Sequence, residues 1–195
     1  MSPSTATVAT AAMEEMRAER GKPPRQTPAL WVPRVDSLAE FGLMISRQLT
    51  QCRRYGGQLS VLWIEADLEA SAVRGDAAPF ADHDTSPDTA AMSAAEARSE
   101  LMLALARRLR SRVRGTDMVL QVGETSFAVL LLDAGHAEAL LVQHRLSVAL
   151  NGPYGVASRT LHARLQMGVA AFPEGGVRGA DLAESARQDL RRRVG

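Results

Sequence analysis

Met118-Val119-Leu120-Gln121-Val122, then Gly123-Glu124-Thr125-Ser126, then Phe127-Ala128-Val129-Leu130-Leu131-Leu132: the reading of this stretch decides the fold. Two apolar runs divided by a short polar break that contains a glycine predict a β-hairpin. Both arms are nearly continuous in their apolar character, so both strands are expected to be buried. A helical pattern ends just upstream, at Arg114-Gly115-Thr116-Asp117.

Outward from the hairpin, residues 97–113 carry Leu101, Leu105, Leu109 and Val113 every four positions, with Met102 and Ala106 beside them. Arg107, Arg108, Arg110 and Arg112 turn away, and the pattern predicts a helix lying on the sheet. Residues 136–150 predict a second such helix, with Ala139, Val142, Leu146 and Ala149 inward and Arg145 off that stripe. His144 reads as a surface histidine. Residues 151–155, Asn-Gly-Pro-Tyr-Gly, predict a turn. Residues 159–173 then read as a strand, and residues 180–190 as a closing helix.

On the upstream side, Asp36 or Ser37 can cap a helix with Glu40 in its first turn. Leu38, Phe41, Ile45, Leu49 and Cys52 share one face, and Tyr55-Gly56-Gly57 ends it. Residues 58–67 form an apolar run that closes on two acids, Glu65 and Asp67, and alternate strand positions put both on one face. They read either as weak metal candidates or as two solvated acids entering a loop. Residues 71–96 have no apolar period. Their Asp82, His83, Asp84 and Asp88 read as a solvated loop rather than a metal site.

The 195 residues suffice for one domain with a sizeable core. A net charge of +1, with the arginines in helices and little aromatic interleaving, argues against a nucleic-acid stripe. Cys52 is alone, so no internal disulfide forms, which fits a reducing compartment. The apolar runs fall short of the ~20 residues of a membrane span, and the N-terminus lacks the order of a signal peptide. A cytoplasmic protein is expected. Residues 1–34, rich in Ala, Thr, Ser and Pro, read as an arm that is disordered or ordered by a partner, with Trp31 and Val32 as a packing anchor. Residues 35–195 read as the domain.

The hairpin resembles the signature of the GGDEF (diguanylate cyclase) domain of bacterial signalling, R-x-G-G-D-E-F followed by an apolar strand. Here the frame reads Gln121-Val122-Gly123-Glu124-Thr125-Ser126-Phe127. The family's opening D-x-L-T-G-L meets Asp36-Ser37-Leu38-Ala39-Glu40-Phe41, without the Thr-Gly pair. Its D-x-D-x-F-K strand end meets Glu65 and Asp67, with Glu69 and Ala70 in place of Phe and Lys. Its S-x-G-V-A-x-F-P strand is similar to Met167-Gly168-Val169-Ala170-Ala171-Phe172-Pro173, and its closing helix to residues 180–190. The family's phosphate-contacting lysine would fall at about Gly195. The guanine-reading segment N-D-x-x-G-H-x-x-G-D has no counterpart in residues 71–96, a loop longer than the family's.

The resemblance implies an α/β fold (an α+β sandwich), with a central, mostly antiparallel five-stranded sheet flanked by helices. It also implies a degenerate site. Ser126 stands where the family has its catalytic, metal-binding Glu, Thr125 replaces the neighbouring acid, and Glu124 takes the place of the second glycine. No catalytic residue, no cofactor and no Mg²⁺ are therefore expected. Many family members carry R-x-x-D at the same offset before the hairpin, as an inhibitory site for cyclic di-GMP, with a further arginine from the following helix. The matching residues are Arg114, Asp117 and Arg145. Alone, Arg114 and Asp117 would do no more than close the helix with an exposed ion pair worth ~0–1 kcal/mol.

Three functions remain open on these residues: a cyclic di-GMP receptor, an interaction scaffold for an unidentified protein partner, and a residual cyclase working through Glu65 and Asp67. Active cyclases pair two domains, so a homodimer stays open as well.

Overall fold

The computed structural model describes residues 32–69, 93–156 and 159–194. Trp31, and Asp82, His83, Asp84 and Asp88 of the 71–96 loop, lie outside them.

Helix α1 (Leu38–Tyr55) begins at Ser37, not Asp36: the Ser37 hydroxyl accepts the Glu40 N–H at 3.1 Å. It ends at Gly56, whose φ of 75° is the left-handed geometry that favours glycine. Strand β1 (Leu59–Glu69) outruns its apolar stretch because its far half pairs with β5. Helix α2 (Ala94–Arg110) starts three residues before the expected Ala97. Ser93 and Glu96 close a reciprocal capping box, with Glu96 N–H donating to Ser93 Oγ (3.2 Å) and Ser93 N–H to Glu96 Oε2 (2.8 Å). The Ser93 backbone N–H, and after it the Ser93 hydroxyl, hold the Glu96 carboxyl below its ordinary pKa. The helix stops at Arg110, short of the expected Val113, where the chain turns into β2.

Strands β2 (Met118–Gln121) and β3 (Ser126–Leu132) form the expected hairpin, and α3 (His136–Leu150) follows. Leu150, rather than the expected Ala149, is the buried residue of its last turn. Residues 152–155, expected as part of a turn, belong to strand β4 (Gly152–Val156), paired with β5 (Arg159–Ala171). Tyr154 is buried there and its hydroxyl donates to the Leu150 carbonyl at 2.6 Å. Pro153 is tolerated because β4 is an edge strand, where a proline need not break the ladder. Helix α4 (Gly179–Val194) closes the chain.

The sheet order is β2-β3-β1-β5-β4, and every neighbouring pair is antiparallel. Strand alternation splits the core in two. Leu62, Ile64, Phe127 and Val129 face α2 and α3, and Val61, Trp63, Ala128 and Leu130 face α1 and α4. The result is the expected α/β sandwich. At Gly168 of β5, α4 comes so close that any Cβ would meet the Ala186 carbonyl and the Leu190 backbone.

Two edges are closed by groups the periodicity does not reveal. Beyond β4, the outer edge of β5 is bonded by side chains: Leu165 N–H donates to Asn151 Oδ1 (2.6 Å), Val169 N–H to Asp189 Oδ2 (2.9 Å), and Gln143 Nε2 to the Met167 carbonyl (2.7 Å). At the other edge, Val35 N–H donates to the Gln121 carbonyl (2.8 Å) and Gln121 N–H to the Pro33 carbonyl (2.9 Å), a short parallel bridge onto β2. Val32 packs on the α2–α3 side of the core. Among the described residues, no helix is long and apolar enough to cross a membrane.

Candidate functional site

Two regions carry the residues singled out above. The first is the hairpin tip. Val122 N–H donates to the Ser126 carbonyl (3.0 Å), closing the turn, and Ala66 N–H donates to the Thr125 carbonyl (2.9 Å), so β1 stays bonded past the strand pairing. Phe127 is fully buried against α2 and α3, which anchors the turn, and Glu124 is exposed at its tip. Gly123 does not adopt a positive φ; a Cβ there would lie 3.2 Å from Ser126 Oγ.

Glu65 lies directly opposite Ser126 in the β1–β3 register and opposite Gln166 in β5. It is thus in mid-sheet, not at a strand end entering a loop. It is half-buried, and its Oε1 accepts the Trp63 indole N–H at 3.2 Å. Over the Trp63 ring stands the Arg187 guanidinium, 5.2 Å from the centroid and paired with Glu184 at 3.0 Å. Asp67 is exposed, two residues on along the same strand face, opposite Arg164. Among the described residues, no three His, Cys, Asp or Glu gather as a metal site.

The second region is the connection from α2 to β2. Asp117 is buried, 6% exposed, and its Oδ2 accepts the backbone N–H of Arg114 at 2.9 Å, while Asp117 N–H donates to the Arg114 carbonyl at 3.2 Å. The carboxylate therefore fastens the turn through backbone, in place of the exposed ion pair expected of Arg114 and Asp117 alone. The Arg114 side chain is left at the surface. Arg110 adds a clasp that the sequence did not announce. Its Nη1 donates to the carbonyls of Arg114 (2.9 Å) and Asp117 (3.0 Å), and its Nη2 to that of Gly115 (3.2 Å). From α3, Arg145 Nη2 donates to the Arg112 carbonyl at 3.2 Å. Arg145 thus meets the chain at Arg112, two residues before Arg114. His144 is exposed on α3, as expected.

Arg108, expected to point away from the sheet, instead lies over the Tyr154 ring, 3.8 Å from its centroid, and reaches the Pro153 carbonyl at 3.3 Å. Its long apolar stem lets it cover β4 while the charge stays near solvent.

The family model described as "Diguanylate cyclase, GGDEF domain" matches residues 97–193. The chain carries a GGDEF domain. Among solved structures, it is similar to the GGDEF domain of YfiN from Pseudomonas aeruginosa, with 24% identity and a TM-score of 0.64 over 84% of this chain and 90% of that one. It is also similar to the diguanylate cyclase SiaD of Pseudomonas aeruginosa, solved with its activator SiaC: 15% identity, a TM-score of 0.60, 97% of this chain and 66% of that one. A third likeness is to the GGDEF domain of DgcB from Caulobacter crescentus, solved with cyclic di-GMP: 10% identity, a TM-score of 0.59, 83% and 82%. At these identities the likenesses establish the fold of the GGDEF domain and nothing finer. No curated protein sequence matches the chain.

Proposed function

We propose that this GGDEF domain is catalytically inactive and serves in the cytoplasm as a receptor for cyclic di-GMP, held by Arg114, Asp117 and Arg145. The observation that carries the reading is the reach of Arg145 from α3 to the Arg112 carbonyl, two residues along the chain from Arg114. A guanidinium offers a planar fork of donors that fits a phosphate or the O6/N7 edge of guanine. A carboxylate accepts the N1 and N2 hydrogens on the other edge of the same base. One corner then grips both parts of a guanine dinucleotide. The cyclic di-GMP complex of DgcB, a domain of this architecture, supports the choice of ligand.

Inactivity rests on the hairpin. GTP cyclisation needs metal carboxylates and a turn that lies against phosphate. This turn presents Glu124, Thr125 and Ser126, and the acid opposite, Glu65, is engaged by Trp63. Each ~1.4 kcal/mol of lost transition-state stabilisation is a factor of ten in rate. A scaffold role is the second reading. Leu141 and Val148 stand exposed seven residues apart on α3, an apolar pair open to a protein partner, and SiaD is a neighbour that binds one.

Calorimetric titration of the protein with cyclic di-GMP, beside Arg114→Ala, tests the receptor reading. A charged hydrogen bond contributes about 1.5–3 kcal/mol, so the variant should bind roughly ten- to a hundredfold more weakly. No heat from folded parent protein would exclude the receptor and leave the scaffold. Product formed from GTP and Mg²⁺, and abolished by Asp67→Ala, would overturn inactivity.

A further inference from the structure

We infer that Arg110 is the positioning residue of the 114–117 turn, setting the directions in which Arg114 and Asp117 present their side chains. The consequence for ligand rests on the receptor reading above, and the consequence for the turn rests on backbone geometry alone. Between the end of α2 and the start of β2 the chain runs through residues 111–117 without a helix or ladder to hold it. Beyond the Asp117 N–H bond to the Arg114 carbonyl, backbone carbonyls there draw donors from elsewhere. Three of them, from Arg114, Gly115 and Asp117, converge on the one Arg110 guanidinium at 2.9–3.2 Å.

The first and last of these carbonyls belong to the two motif residues. With the Arg114 N–H bound to Asp117 Oδ2, the turn is closed from inside by a carboxylate and clasped at its carbonyls by a guanidinium. Arg110 sits in the last turn of α2, where a cation is also favoured by the helix dipole. Its fork spreads two bonds on one nitrogen and a third on the other, a pattern that planar, rigidly spaced donors hold together. A lysine would bring the same charge as a single compact point, without that spacing. Arg110 need not touch ligand to act: it fixes the turn that exposes Arg114 and holds the Asp117 carboxylate against its backbone.

The full chain, Arg110→Met and Arg110→Lys are compared by hydrogen–deuterium exchange of the peptide covering residues 111–117, with the β1 peptide as internal reference and cyclic di-GMP titrated into each. Met keeps the apolar stem, and Lys keeps the charge. Both variants should exchange at least tenfold faster in residues 111–117, leave the β1 peptide at its parental rate, and bind cyclic di-GMP about tenfold more weakly. Parental exchange in Arg110→Met would overturn the inference, and parental exchange in Arg110→Lys alone would show that charge, not the fork, holds the turn. Faster exchange with unchanged affinity would overturn the link to ligand. If the parent binds no cyclic di-GMP, the receptor reading falls, while the exchange comparison still decides whether Arg110 sets the turn.

Discussion

Replacing Gly168 by alanine adds one methyl group at the tightest contact between α4 and the sheet. The new Cβ would lie 2.8 Å from Leu190 Cβ, and closer still to the Ala186 carbonyl and the Leu190 nitrogen. Carbon atoms in ordinary contact sit about 3.5–4.0 Å apart, so the helix must lift by about 1 Å. Two of the obstructing atoms are backbone and cannot swing aside. Leu182, Ala183, Ala186 and Leu190, all buried under α4, lose contact together as it lifts, and so does the Asp189 bond to Val169 N–H next door. Overpacking ordinarily costs about 1–3 kcal/mol, and a backbone obstruction belongs at the upper end, about 3 kcal/mol. For a chain of this size that lowers Tm by roughly 6–12 °C. Urea and thermal unfolding of Gly168→Ala would measure it, with Gly155→Ala as control, since a Cβ at Gly155 meets nothing within 4 Å. A Gly168→Ala protein within ~0.5 kcal/mol of the parent would refute the reasoning.

Other substitutions follow from the same geometry. Asp189→Ala removes the acceptor of Val169 N–H at the β5 edge and should cost about 1–2 kcal/mol in denaturant unfolding. Tyr154→Phe loses the bond to the Leu150 carbonyl, about 1 kcal/mol. Burial raises the Tyr154 pKa above its usual value of 10.0, with Arg108 acting the other way. The neutral phenol is thus favoured in the fold, and its stabilisation is present below pH 10 and lost as the pH climbs past the raised value. Stability measured from pH 8 upward should fall more steeply for the parent than for Tyr154→Phe. Gly179→Ala drives a methyl into the Gly42 carbonyl and the Ser46 hydroxyl where α4 meets α1, and its midpoint should drop by several degrees in the same thermal assay.

The sequence announces the sandwich because its helices and inner strands carry their own periodicity. Phe41, Ile45 and Leu49 mark the buried stripe of α1, and the unbroken apolar run of β3 marks a strand covered on both faces. Where local chemistry and tertiary context disagree, the reading fails. Gly152, Pro153 and Gly155 carry turn propensity, yet pairing with β5 and the burial of Tyr154 make them an edge strand. Ser93 and Glu96 form their capping box inside a stretch whose composition reads as loop, so α2 starts earlier than its apolar period predicts. The proposed set of Arg114, Asp117 and Arg145 rests on spacing against the hairpin. Arg110 is not legible that way: by periodicity it is one more outward arginine on a helix, and only the path of the chain after α2 turns three carbonyls toward it. The Trp63 hold on Glu65 was hidden likewise, because alternation along a strand says which residues share a face but not which of them touch.

The parallel bridge at residues 33–35 bears on how this sheet meets other chains. A strand of four residues has two whose backbone groups point outward, here Val119 and Gln121, and the bridge occupies both groups of Gln121. Only Val119 is left for an incoming strand, too little to nucleate a ladder. At the far side, Pro153 blunts β4, and the side chains of Asn151, Gln143 and Asp189 occupy the upper margin of β5. The sheet is thereby guarded against templating its own polymerisation, and a protein that docks here meets helix surfaces and turns rather than a bare ribbon.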